Sequence, residues 1–171
     1  NLSCQTCIRH TWSEAPGFIS RELVKKVSSE LKDFPFLQSI MLAGFGEPLV
    51  HRDIAWIVER LKTASSASIE LTTNGTLLDE TMAGSLLEAG LDRLWVSFDG
   101  SSETSFNDIR RGASFNLVLR NVQRVRDLAV AQNKPFSLGI SFVIMRENIN
   151  ELKNIEKLIE ATGADSLLLT N

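Results

Sequence analysis

The fold of this chain is decided by residues 68–100, which read SIELTTNGTLLDETMAGSLLEAGLDRLWVSFDG. Two short runs in it, Ser68–Thr72 and Arg93–Phe98, are predicted to be strands. The segment Asp79–Ala89 between them is predicted to be a helix, because Gly90 is typical of the position just past a helix end. Strand, helix and strand in this order form a βα unit, in which a right-handed crossover joins two parallel strands.

The same alternation continues on both sides of this unit. The other predicted strands are Leu37–Ala43, Phe136–Ile144 and Ser166–Thr170. Four further helices are predicted. The first begins after Ser20 and ends near Asp33 to Pro35, and the next two span Ile54–Leu61 and Phe115–Ala131. The last begins at a capping box of Asn148 and Glu151 and ends at Gly163. Five strands separated by helices predict an α/β fold with a parallel sheet, either barrel-like or doubly wound. Both architectures place function at the carboxyl ends of the strands.

Composition sets further limits. The 171 residues include 43% apolar and 23% charged side chains, which is enough for one well-packed domain over residues 1–171, and we expect a further first strand before the N-terminal loop. The net charge of −3 argues against nucleic acid as a partner. No run approaches the roughly 18 apolar residues of a membrane span. Two cysteines three positions apart give no secretory disulfide framework, so we expect a cytoplasmic protein and no membrane partner.

The two cysteines, Cys4 and Cys7, form a C-x-x-C pair in the first seven residues, which we call the cysteine loop. Such a pair alone fits half of a zinc site, a redox pair or two buried thiols. If a cysteine stood immediately before Asn1, the loop would carry three thiolates, which suit an iron–sulfur cluster with one open iron.

Glycines and polar residues follow the first two predicted strands. Gly44-Phe45-Gly46-Glu47-Pro48, the Gly-Glu-Pro turn, has two glycines that let a ligand approach the backbone, while Pro48 biases Glu47 away from helical geometry. Free carbonyls there would accept hydrogen bonds from an ammonium group. Asn74 follows the next strand and points at a ligand or caps its own turn. A plain βα turn remains the alternative for both segments.

The third strand of this set ends with Ser97 and Asp99, whose side chains share one side of the strand because strand side chains alternate. A hydroxyl and a carboxylate so placed suit a ribose diol, and a core serine with a turn aspartate is the alternative. Arg110 and Arg111 come soon after, and a rigid guanidinium there would pair with a ligand carboxylate. These groups should converge on one rim of the sheet.

Taken in order, the cysteine loop, the Gly-Glu-Pro turn, Thr73-Asn74-Gly75, Ser97-Phe98-Asp99-Gly100 and the arginines resemble the radical S-adenosylmethionine (radical SAM) enzymes. The resemblance implies a partial (β/α)6 barrel of the TIM type and a [4Fe-4S] cluster on Cys4, Cys7 and a cysteine just before Asn1. It places the methionine amine of S-adenosylmethionine at Gly44, Gly46, Glu47 and Pro48, the ribose near Ser97 and Asp99, and the carboxylate near Arg110 or Arg111. The family often has an aromatic residue before the last cysteine, where this chain has Thr6.

The implied activity is that of a radical SAM oxidoreductase or maturase. Reductive cleavage of S-adenosylmethionine gives a 5′-deoxyadenosyl radical, which abstracts hydrogen from a peptide, protein or cofactor-precursor substrate, with flavodoxin or ferredoxin as electron donor. The run Cys4-Gln5-Thr6-Cys7-Ile8-Arg9, with the later Asn-Gly and Phe-Asp-Gly turns, resembles most closely the members that modify peptides or build pterin-type metal cofactors. Many of those carry a C-terminal cysteine-rich extension called SPASM. The same residues leave two alternatives: a non-catalytic α/β domain with a structural half zinc site, and a thiol oxidoreductase, against which Pro16-Gly17 argues by delaying the first helix.

Overall fold

The computed structural model describes residues 1–15 and 17–171, so Pro16 of the Pro16-Gly17 pair lies outside the described residues. Within them, the strands are β1 Ser39–Leu42, β2 Ser68–Thr73, β3 Arg93–Ser97, β4 Ser137–Val143 and β5 Ser166–Thr170. The α-helices are α1 Arg21–Glu30, α2 Ile54–Ala64, α3 Glu80–Glu88, α4 Glu103–Ile109, α5 Phe115–Ala131 and α6 Ile155–Thr162. No helix in this part of the chain is both long and apolar enough to cross a membrane.

All four strand pairs are parallel, and the strands lie side by side in chain order from β1 to β5. A doubly wound sheet would reverse its strand order at a switch point. Sequential order keeps every crossover on the same face, as in a barrel wall. The structure therefore confirms the α/β fold and selects the barrel-like alternative, with β1 and β5 at the two edges of the described sheet.

The two faces of the sheet have different chemistry because strand side chains alternate. One face is apolar at its central residues and packs under the helices in a single core cluster. Its central strand residues, each at most 1% exposed, are Ile69, Leu71, Leu94, Val96, Leu138 and Ile140. The opposite, inner face is mixed, with Glu70, Ser97 and Gly139 beside the large side chains of Met41 and Trp95. The inner face and the carboxyl ends of the strands are therefore where a ligand can be held.

Most predicted elements are confirmed to within a few residues, and two expectations are corrected. Helix α4, which begins after Ser102, was expected to be a loop. The predicted capping box is not formed, because Asn148 precedes a short 3-10 helix, Ile149–Asn154, and makes no side-chain cap on it. Glu151 instead accepts hydrogen bonds from the backbone N and hydroxyl of Ser101, at 2.9 and 2.8 Å.

Candidate functional site

The cysteine loop closes into a tight turn at the carboxyl end of the sheet. The backbone N of Cys7 donates to the carbonyl of Cys4 at 3.2 Å, and the ring Nε2 of His10 lies 2.8 Å from the same carbonyl. Both cysteines are free thiols and half-buried. They precede a four-residue 3-10 helix, Ile8–Thr11, and the first described α-helix begins only at Arg21. The α-helix N-terminus that a thiol oxidoreductase uses to activate its cysteine is therefore far along the chain from this pair.

The end of α4 and the two residues that follow it hold this loop in place. The backbone N of Ser3 donates to the carbonyl of Arg111 at 3.0 Å, and that of Gln5 donates to Ile109 at 2.9 Å. The side chain of Gln5 adds a third bond, from Nε2 to the carbonyl of Asp108 at 2.9 Å. Cys4 therefore lies between two residues that are anchored to the segment that carries the arginines. The sequence carries no local signal for these contacts, which join residues about a hundred positions apart.

The Gly-Glu-Pro turn follows β1 with Gly44 at a φ of 144°, a backbone conformation that other residues rarely adopt. Glu47 is extended, as Pro48 predicted, and its carboxylate is bound within the protein. Oε1 accepts from the backbone N of Leu49 at 3.0 Å and the hydroxyl of Thr73 at 2.6 Å, and Oε2 accepts from the backbone N of Asn74 at 2.8 Å. Glu47 thus fastens the turn to the end of β2, while Gly44 and Gly46 line the cavity described below.

Asn74 ties the end of β2 to the start of the chain. Its Nδ2 donates to Oδ1 of Asn1 at 2.9 Å, while its Oδ1 accepts from the backbone N and hydroxyl of Thr76, at 3.0 and 2.6 Å. The side chain of Asn1 in turn donates to the Thr76 hydroxyl at 3.0 Å. Asn74 therefore caps its own turn, which was one of its two predicted roles, and its NH2 group holds Asn1 at the start of the cysteine loop.

Ser97 and Asp99 differ in what they face. Ser97 lines the cavity described below, whereas Asp99 is only 2% exposed and lies behind the lining. Oδ2 of Asp99 pairs with Nη2 of Arg110 at 2.7 Å, and Oδ1 accepts from the backbone N of Val143 at 3.0 Å. Of the two arginines, Arg110 is nearly buried, while the Arg111 side chain is 62% exposed. The carboxylate of Asp99 thus has protein partners, and Arg110 rather than Arg111 lines the cavity.

These groups surround one cavity of about 250 Å³. Eight of the predicted binding residues and metal ligands line it, together with Arg9 and Thr72. The eight are Cys4, Cys7, Gly44, Gly46, Glu47, Asn74, Ser97 and Arg110. Pro48 lines a neighbouring, more apolar cavity of about 540 Å³, which shares the Gly44–Glu47 segment with the first. Most of the predicted rim groups therefore converge on one cavity, as expected. Pro48 and Asp99 are not among the described residues that line it.

An aromatic pair lies between the cysteine loop and the Gly-Glu-Pro turn. The rings of Trp12 and Phe45 have centroids 4.8 Å apart and are inclined by 51°. Trp12 follows the 3-10 helix of the loop, and Phe45 lies between the two glycines of the Gly-Glu-Pro turn. Thr6 itself is not aromatic, so the aromatic surface beside this loop comes from residues elsewhere in the chain.

The donor set at the mouth of this cavity suits a soft metal centre. Burial raises the pKa of the Cys4 thiol, and the Arg110 guanidinium offsets part of that rise. Thiolates are the ligands of iron–sulfur clusters, so two free thiols three residues apart on one turn fit two ligands of such a cluster. Among the described residues, no group of three or more His, Cys, Asp or Glu side chains is arranged to hold a metal. A cluster or a zinc ion would therefore need at least one further ligand.

Comparison with known proteins agrees with this geometry. The chain matches the Radical SAM superfamily over residues 1–159. A tungsten-containing aldehyde ferredoxin oxidoreductase cofactor-modifying protein of Pyrococcus furiosus is 29% identical over 175 residues, covering 100% of this chain and 48% of that protein. A probable GTP 3′,8-cyclase of Methanothermobacter thermautotrophicus is 34% identical over 165 residues, covering 96% of this chain and 52% of that protein. The chain thus spans about half the length of the curated relatives it matches.

Solved structures show the same fold. Native anSMEcpe with bound AdoMet superposes with a TM-score of 0.80 at 22% identity, covering 100% of this chain and 48% of that one. Streptococcus suis SuiB bound to precursor peptide SuiA gives a TM-score of 0.79 at 14% identity, covering 99% of this chain and 36% of that one. At these identities the likeness establishes architecture alone. Together with the family match over nearly the whole chain, it leads to one conclusion: this chain belongs to the radical SAM superfamily.

Proposed function

We propose that this chain is the S-adenosylmethionine-cleaving core of a radical SAM enzyme, with a [4Fe-4S] cluster on Cys4, Cys7 and the third cysteine expected immediately before Asn1. One observation carries the proposal. Two free thiols, a glycine backbone and Arg110 line a single cavity at the carboxyl ends of parallel strands. Residues from five separate parts of the chain meet there, which a structural half zinc site would not require.

The chain's own residues have distinct tasks in this site. Cys4 and Cys7 would bind the cluster, which when bound supplies the electron for cleaving the sulfonium to methionine and a 5′-deoxyadenosyl radical. The carbonyls near Gly44 and Gly46 would accept from the methionine amine, and Glu47 keeps that backbone in place through its bonds to β2. Ser97 would contact the ribose.

Arg110 would pair with the carboxylate of the methionine moiety. Its guanidinium lies in the cavity lining, and Asp99 occupies only one of its nitrogens, Nη2. A planar guanidinium offers several donors in a fixed fork, so a second carboxylate can bind at its other edge. The exposed Arg111 would serve this role less well because solvent screens its charge.

For the substrate, we propose a cofactor precursor acted on by hydrogen abstraction, in an oxidoreductase or maturase reaction. The names of the curated relatives refer to a tungsten enzyme's cofactor and to GTP, and they share 29% and 34% identity with the chain. A peptide or protein substrate is the second candidate, and its support, a peptide-bound fold neighbour, is at only 14% identity. Assignment to the SPASM-type maturases rests on the same distant likeness.

We also propose a cytoplasmic setting with flavodoxin or ferredoxin as the electron donor. Both cysteines are free thiols, as cluster assembly requires and as a reducing compartment maintains. The described helices include none suited to crossing a membrane.

The test is anaerobic reconstitution of the protein at its natural length with iron and sulfide. We expect about four iron and four acid-labile sulfide ions per chain. We also expect the protein to form 5′-deoxyadenosine from S-adenosylmethionine when dithionite is present. Tight zinc with no bound iron would instead favour the structural half zinc site. Addition of GTP or of candidate peptides, followed by mass spectrometry of the products, would separate the two substrate classes.

A further inference from the structure

We propose that Asp99 and Asn148 are positioning residues that set the guanidinium of Arg110 for the carboxylate of S-adenosylmethionine. The inference rests on the proposed function, in which Arg110 binds that carboxylate. It assigns a role to Asn148, which lies in the loop after β4, outside the cavity lining among the described residues. It also gives Asp99 a task other than contact with the cofactor's ribose.

Asp99 acts as a fixed anchor. Asp99 is 2% exposed, so its carboxylate is withdrawn from water and must find its hydrogen-bond donors within the protein. Oδ1 accepts from the backbone N of Val143 at 3.0 Å, and Oδ2 pairs with Nη2 of Arg110 at 2.7 Å. One oxygen is therefore held by the end of β4, and the other holds the arginine.

Asn148 fixes the backbone around that anchor. Its side chain is fully buried, and its Nδ2 donates to the carbonyl of Asp99 at 2.9 Å and to that of Val143 at 2.8 Å. Its Oδ1 accepts from the backbone N of Met145 at 2.7 Å. A single carboxamide thus joins the ends of β3 and β4, the two segments between which Asp99 is held.

Arg110 is the cation that this arrangement holds at the cavity. Its side chain is 12% exposed, and its Nε is buried without a hydrogen-bond partner among the described residues. A buried guanidinium nitrogen without a partner is costly, which indicates donor capacity that the protein itself does not use. Because the guanidinium is rigid and planar, fixing Nη2 on Asp99 also fixes the direction of the remaining donors.

Binding measurements on the anaerobically reconstituted protein test this. Equilibrium dialysis gives the Kd for S-adenosylmethionine and for its decarboxylated analogue, with bound iron and far-ultraviolet circular dichroism as checks on cluster and fold. Asp99→Asn should raise the Kd for S-adenosylmethionine about tenfold or more, because the amide loses the negative charge and its NH2 group must face one of two donors, the guanidinium or the backbone N of Val143. Asn148→Ala, which removes no charge, should raise it several-fold. Neither substitution should change the Kd for the decarboxylated analogue from its wild-type value.

A double-mutant cycle separates positioning from direct contact. If Asp99 acts through Arg110, Asp99→Asn should add little to the Kd increase already caused by Arg110→Ala. Additive increases, or equal weakening of both ligands, would overturn the inference. If Asp99→Asn does not fold, Asn148→Ala decides, and an unchanged Kd overturns the inference.

The proposed function and this inference fail in different ways. Wild-type protein that binds neither cluster nor S-adenosylmethionine would remove both. Wild-type protein that binds and cleaves S-adenosylmethionine, with Asp99→Asn and Asn148→Ala binding as tightly as wild type, would remove only the inference.

Discussion

At the scale of single residues, Glu47 shows how a side chain on the rim acts as support. Its carboxylate accepts three hydrogen bonds, from Leu49, Thr73 and Asn74. In Glu47→Gln, one oxygen becomes an NH2 group that faces donors, so we expect the free energy of unfolding to fall by about 1–3 kcal/mol. Urea unfolding followed by circular dichroism measures this through the transition midpoint.

The matched control is Glu59→Gln, the same exchange at an exposed position on α2. It should change the free energy of unfolding by less than about 0.5 kcal/mol, as is usual for surface substitutions. Equal midpoints for the Glu47 variant and wild type would show that the bonds to β2 add nothing to stability.

Gly100 provides a second prediction, because the start of α4 packs directly against it. A Cβ added there would lie 2.5 Å from the backbone N of Phe106, and backbone cannot move aside as a flexible side chain does. Gly100→Ala should therefore cost about 1–3 kcal/mol of stability through overpacking.

In Gly84→Ala, within α3, the new methyl has no described heavy atom within 4 Å, and better helix propensity should add up to about 1 kcal/mol. Thermal unfolding of both variants should move Tm in opposite directions, and equal shifts would contradict this account.

The sequence predicted which residues carry chemistry but not all of their contacts. Cys4, Ser97 and Arg110 were recognisable because thiol, hydroxyl and guanidinium groups follow strand ends or lie on the first loop. The pairing of Asp99 with Arg110 was not predicted, since alternation gives the side of a strand and not the neighbour a side chain meets. That pairing depends on the path of α4, which was not predicted either.

At the scale of elements, two similar segments precede β3 and β5: Gly90-Leu91-Asp92 and Gly163-Ala164-Asp165. Oδ2 of Asp92 accepts from the backbone N of Ile69 at 2.7 Å, and Oδ2 of Asp165 accepts from Leu138 at 3.0 Å. Each aspartate thus fastens the start of its own strand to the neighbouring strand. These contacts lie at the amino ends of the strands, the end of a barrel where residues serve stability.

Acidification provides a test of this stabilising role for Asp165. Although burial alone would raise its pKa, hydrogen bonds from Leu138, Ser137 and Ser166 hold the pKa of Asp165 below its ordinary value. A lowered folded-state pKa adds stability above the unfolded-state pKa of about 4 and loses it as the pH falls through the folded-state value.

Asp165→Asn should therefore lower the free energy of unfolding by about 1 kcal/mol at pH 7, and the difference from wild type should shrink as the pH falls below about 4. Urea unfolding at several pH values measures this, and binding of S-adenosylmethionine at pH 7 should be unchanged. A difference that is constant with pH would contradict the ionised role of Asp165.

Two features at the scale of elements were not predicted from the local sequence pattern. Helix α4 has a usable signal, since Ser102 caps it and Phe106 and Ile109 lie buried one turn apart, but at seven residues it is shorter than the windows that reveal periodicity. At Asn148 the local pattern indicated a helix cap. The side chain is used instead in contacts between β3 and β4, which only the tertiary fold creates.

At the scale of the whole molecule, the barrel wall separates stability from chemistry. Apolar strand residues lie under one layer of helices, strand-fastening aspartates lie at the amino ends, and thiols, glycines and Arg110 meet at the carboxyl ends. Strand and helix order was predictable because alternation and helix-stop signals are local. The hydrogen bonds that join residues 108–111 to the cysteine loop were not predictable, because backbone hydrogen bonds between distant segments give no pattern in the side chains.

The central claim is that Cys4 and Cys7 on this rim bind the cluster that cleaves S-adenosylmethionine. The most direct measurement is 5′-deoxyadenosine formed under dithionite by the anaerobically reconstituted wild type and by Cys7→Ala, at matched protein concentration. Cys7 lies on a rim loop outside the apolar core, so the variant should keep its circular dichroism spectrum. We predict 5′-deoxyadenosine from the wild type and none above background from Cys7→Ala. Equal product from the two proteins, or none from a wild type loaded with iron and sulfide, would contradict the claim.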